Sequence, residues 1–261
     1  MATAPTLQRS RMVLHERGTW SAREDRIPSA VWLGILWVGM IAGFSTDIPD
    51  VARRNPAAPT VLWVHGAVFT VWMLLLTAQV LLVLRDRVAW HRKLGWFAAG
   101  WVCLMAVMGP WAAIASKLYF VKLQGPSPDG FIAVQVVDLG GFLILLAWGI
   151  ALRKNPAAHK RMMILSTVAL ADPGFSRLSG SYYATEPTSV LPWFIYVFYG
   201  NLLLIVLMLA WDWWRGRLMR SFVMASAALV AALYLASVMY FWEPWKALTL
   251  EWVKAWAKYA G

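Results

Sequence analysis

The 261-residue chain is 60% apolar and only 14% charged, with a mean hydropathy of +0.57. An ordinary soluble enzyme carries about 25% charged residues, so that class is excluded and a membrane protein is indicated. The net charge of +11 is distributed over many short connections. It therefore bears on topology and gives no basic patch for nucleic acid.

Residues 1–28 are polar, carry Arg9, Arg11, Arg17, Arg23 and Arg26, and lack an apolar h-region. They are read as a cytoplasmic tail in which His15 faces water, and the first hydrophobic segment serves as the insertion signal. Apolar runs long enough to cross roughly 30 Å of hydrocarbon follow at 29–45, 61–84, 92–115, 130–152, 160–180, 191–211 and 221–241. The fifth is interrupted by Asp172-Pro173-Gly174. Eighteen Trp, eight Tyr and eleven Phe suit a chain with two water–lipid interfaces. The expected fold is all-α: an integral membrane bundle of about seven helices over 29–241 with a four-helix core in spans 2–5.

Sixteen of the 24 Lys and Arg fall in the tail and in the connections after spans 2, 4 and 6. By the positive-inside rule the N-terminus is expected inside and the C-terminus outside, in a bacterial inner membrane. Beyond span 7, Trp245, Leu248, Trp252, Trp256 and Tyr259 recur at helical spacing, opposite Lys246, Lys254 and Lys258. Residues 242–261 are thus expected to form an amphipathic interfacial helix, with a docking helix for a partner as the alternative.

Two connections share a pattern. Arg85 to Lys93 and Arg153 to Arg161 each place a His six residues after an Arg and just before two basic residues. Spans 2–3 and 4–5 therefore read as two hairpins of the same sense. His91 and His159 then open parallel helices at equal depth, and paired imidazoles are what a six-coordinate haem iron needs. Arg92, Lys93, Lys160 and Arg161 could neutralise its propionates. The competing reading is two interfacial His beside lipid phosphates.

Polar residues inside spans are costly, so the remaining ones are candidates by default. His65 on span 2 has no His partner on span 4, which offers Gln135 and Asp138 instead. Asp172 lies about 20 Å beyond His159 along the helix, and Arg177 is the cation expected to pair with it. With His65, Gln135 and Asp138, these two could also line an outer polar pocket for a quinone head group, a proton path or a small substrate. Gln79, Ser166, Thr167 and Asn201 are expected to bridge helices by hydrogen bonds. Cys103 has no intrachain partner.

Val64-His65-Gly66, His91-Arg92-Lys93-Leu94-Gly95-Trp96 and His159-Lys160-Arg161-Met162-Met163 together resemble an uncharacterised family of bacterial multi-pass membrane proteins. More distantly, His on spans 2, 3 and 5 resembles cytochrome b561, whose four-helix core holds two haems. That resemblance implies His91 and His159 as ligands of one b-type haem and His65 as half of a second pair that span 4 does not complete. Two functions are compatible with these residues. One is membrane electron transfer with one haem b near the cytoplasmic face and a quinone in the outer pocket. The other is a non-catalytic accessory subunit of a larger respiratory or photosynthetic complex.

Overall fold

A computed structural model describes residues 26–127, 129–182 and 185–259. The tail expected over 1–28, with His15, lies almost wholly outside the described residues. Among those described the fold is all-helical. The helices are α1 (Arg26–Ala52), α2 (Thr60–Leu84), α3 (Val88–Gln124), α4 (Ile132–Ala151), α5 (Pro156–Val168), α6 (Asp172–Tyr182), α7 (Val190–Trp214), α8 (Arg220–Phe241) and α9 (Glu243–Tyr259). Six of them, α1 to α4, α7 and α8, are long and apolar enough to cross a membrane. Span 1 runs past its expected ends, and α3 covers 37 residues, about 55 Å at 1.5 Å per residue.

The fifth expected span is two half-helices. At 13 and 11 residues, α5 and α6 are about 20 and 16 Å long, too short singly for the hydrocarbon. Asn155 caps α5 by accepting from the Ala158 N–H, and Pro156 fills the first turn, where its missing N–H is harmless. At the other end the ladder tightens: Leu170 N–H donates to Thr167 O (3.1 Å) and Ala171 N–H to Val168 O (3.0 Å). Pro173 has no N–H to continue that ladder, so α6 restarts at Asp172. The break therefore falls at residues 169–171, just before the Asp-Pro-Gly sequence.

Burial centres on α5. Nine of its thirteen residues are buried, against six of 37 in α3. The larger apolar cluster joins α5 to α1, α4, α7 and α8 through side chains such as Leu36, Val134, Leu165, Phe198 and Leu233. The smaller one lies among α2, α3 and α4, around Trp72, Met105 and Phe142. The α2–α3 and α4–α5 hairpins both form, as the repeat predicts. The centre of packing, however, lies toward α7 and α8, beyond the four helices of spans 2–5. Cys103 is exposed on α3.

Helix α6 is seated by glycines. Gly39 and Gly43, one turn apart on α1, let it pass so close that a Cβ on Gly43 would overlap the Gly174 carbonyl. The Phe175 ring occupies the space a Cβ would need at both Gly39 and Gly200 of α7. At the far end α9 docks on the α3–α4 connection: Trp245 Nε1 donates to Gly130 O (3.2 Å), and Thr249 Oγ1 accepts from the Asp129 N–H (3.2 Å). Thr249 and Val253 are fully buried, whereas Leu248 and Trp252 face outward. The helix thus packs on the protein with one face and leaves the second half of its apolar stripe exposed.

Candidate functional site

The connections 85–87, 152–155 and 215–219 gather at one end, here called the basic end. Both candidate histidines lie there in the same register. His91 N–H donates to the carbonyl of Arg87, the N-cap of α3, and His159 N–H to that of Asn155, the N-cap of α5. Equal register on parallel helices brings the two imidazoles together: ring centroids are 6.2 Å apart and the ring planes are nearly perpendicular, at 87°. His159 Nδ1 lies 2.7 Å from Gly149 O on α4. As the donor of that bond, Nδ1 fixes the tautomer and leaves Nε2 as the free lone pair. His91 Nδ1 is buried without a partner, and so is Oε1 of Gln79, the α2 residue against which His91 packs.

The four flanking cations divide. Arg92 and Lys93 are exposed, and Lys93 Nζ sits 5.0 Å above the Trp90 ring. Lys160 is half-buried. Arg161 is not at the rim at all. Its guanidinium is buried and donates to Asp212 of α7 through Nε (2.5 Å) and the second terminal nitrogen (2.7 Å), with a third bond to Ala157 O (2.9 Å). This bidentate ion pair staples α5 to α7. Its partner lies 51 residues away in a Trp-rich run, where an acidic residue near a span end carries no local signal.

The second set of candidates lies at the break. Asp138 of α4 and Asp172 of α6 face one another within hydrogen-bonding range and are 7% and 1% exposed. No donor reaches either oxygen of Asp172 or Oδ1 of Asp138. Arg177 does not bond Asp172 as expected: Nε donates to Asp47 Oδ2 of α1 (2.9 Å) and a terminal nitrogen to Pro173 O (2.5 Å). Five residues along a helix is about 140° around it, which turns Arg177 toward α1. It acts on Asp172 only through its field. Asn201, fully buried on α7, donates from Nδ2 to Val168 O (2.8 Å) at the rim of the break and leaves Oδ1 unpartnered.

His65 belongs to neither group. Its ring lies 4.2 Å from that of Phe69 and packs against Met108 of α3, with no hydrogen bond to Asp138. Gln135 is half-buried one turn from Asp138. Among the described residues no three His, Cys, Asp or Glu converge as a metal-ligand group. Thr167 does bridge helices, accepting from Trp72 Nε1 (3.2 Å). Ser166 instead bonds within α5, to Met163 O.

Above the break, at the end opposite the basic one, an open cavity of about 420 Å³ is lined by Asp47, Phe131, Ser176, Arg177, Glu186 and Tyr196, among others. Glu186 is held by Trp193 Nε1 (2.6 Å). No protein-family model, curated protein or solved structure matches this chain. The likeness to cytochrome b561 therefore rests on histidine positions alone.

Proposed function

We propose that this chain is a multi-pass membrane protein of a bacterial inner membrane, with the basic end in the cytoplasm, that transfers electrons through one b-type haem held by His91 and His159. The observation that carries the reading is the meeting of two imidazoles from different hairpins at 6.2 Å. These two rings are the side chains that would hold the iron of such a haem. Gly149 O holds the His159 imidazole in place through Nδ1, whereas the His91 ring lies beside Gln79 with its Nδ1 unpartnered. Arg92, Lys93 and Lys160 supply charge for propionates; Arg161, committed to Asp212, serves the scaffold. When bound, such a haem would supply one-electron chemistry. The cavity at the opposite end is of a size to admit a quinone head group.

An absorption spectrum of the protein purified from a haem-sufficient host tests this. A Soret band with reducible α and β bands is expected, lost in both His91→Ala and His159→Ala and kept in His65→Ala. A colourless protein that co-purifies stoichiometrically with a large respiratory or photosynthetic complex would replace this reading with that of an accessory subunit.

A further inference from the structure

The carboxyl pair at the break has no part in the haem reading and does not depend on it. Two carboxylates facing one another among apolar side chains are not stable as bare anions; a positive species must sit with them, or a hydrogen bond must join them. Among the described residues the cation whose field reaches Asp172, Arg177, is already engaged with Asp47 and a carbonyl. Among the described residues no donor therefore offsets the charge of the pair, and Asn201 Oδ1, on the residue that bonds Val168 O at the rim of the break, is a further buried acceptor without a donor.

Access is written in the helix registers. Ser176 lies one turn beyond Asp172 on α6, and Val197 one turn before Asn201 on the antiparallel α7; both line the open cavity. Phe131, the N-cap of α4 and two turns before Asp138, lines it too. Asp172 and Asn201 thus lie one helical turn, and Asp138 two turns, from residues that line a water-accessible space.

We propose that Asp138 and Asp172 form a proton-binding pair that exchanges with water through this cavity. A proton leaves hydronium in the cavity, an O–H bond forms on one carboxylate oxygen, and the hydrogen bond to the facing carboxylate retains it; release is the reverse, with no electron transferred. Among the described residues the charged and titratable groups facing the cavity are Arg177 of α6, Asp47 of α1, Glu186 of the α6–α7 connection and Tyr196 of α7. Tyr240 of α8 stacks on Trp193 at 4.0 Å beside them, and Lys117 of α3 is engaged with Asp129. Helix α4 has no other titratable residue.

Infrared difference spectroscopy of the full-length protein in lipid nanodiscs tests the proposal, reading the C=O stretch of a protonated carboxyl. A band that titrates with pH, shifts promptly on transfer to D₂O and vanishes in Asp138→Asn and in Asp172→Asn alike is expected. Gly180→Leu, whose side chain would fill the cavity mouth beside the Tyr196 hydroxyl, should keep the band and slow the D₂O shift by at least about tenfold. Absence of a titrating band overturns the proposal. So does a D₂O shift as slow as that of the core amides, which would make the pair a sealed structural bond. Loss of the band on replacing choline chloride with NaCl would also overturn it, since the site would then hold an alkali cation. The D₂O and sodium arms use the unmutated chain and decide the matter even where an Asn variant does not fold.

Discussion

The two ends of the central span are built on opposite rules. Toward the basic end, α5 is anchored at almost every polar group: Asn155 caps the helix, His159 Nδ1 is held by Gly149, and Arg161 makes two bonds to Asp212 and one to a carbonyl. At the break, equally buried oxygens on Asp138, Asp172 and Asn201 have no donor. A buried polar group with all its bonds made fixes the fold, whereas one left short of a partner is suited to hold something the chain does not supply. Toward the basic end, His91 Nδ1 and Gln79 Oε1, both unpartnered, fall on the second side of this division.

The sharpest way to break the comparison is at its anchored side. Asp212→Ala strands a buried guanidinium and is expected to cost roughly 3–5 kcal/mol, read as a fall in thermal stability in detergent. The pair Arg161→Met with Asp212→Leu should restore most of that loss, and an additive result would mean that the two residues act separately. Next in size, Gly43→Ala forces α1 away from α6 and should cost about 1–3 kcal/mol in the same measurement. Its effect on the Asp138–Asp172 carboxyl band should exceed that of Gly100→Ala, where a Cβ meets open space. Smallest, Trp72→Phe removes one interhelical bond to Thr167, for about 0.6–1 kcal/mol. A loss several-fold larger would show that the α2 contact supports the break itself.

Hydropathy locates six of the seven expected spans, because lipid demands long apolar runs whatever the fold; the fifth is two short helices. The His91–His159 meeting was legible because a repeated Arg-to-His spacing sets both rings at the same position after an N-cap, and register follows from sequence. Arg161 and Arg177 depart from the partners that nearby residues suggest for one reason: the carboxylate of each comes from another helix, Asp212 and Asp47. Asp138 and Asp172 were each visible as costly residues. Their mutual approach depends on how α4 lies against the break, and no spacing encodes that. The glycine seat of α6 is likewise silent, since a Gly-x-x-x-Gly on α1 does not name its partner.

That seat has a consequence for how the chain tolerates change. Phe175 is a ring clamped between two hollows on different helices, and Asp172 is three residues away on the same short rod. The position of the acid is thus set by Gly39 and Gly200, neither of which carries a functional group. Substitutions at those two silent positions should disable the carboxyl pair as thoroughly as removing an oxygen from it.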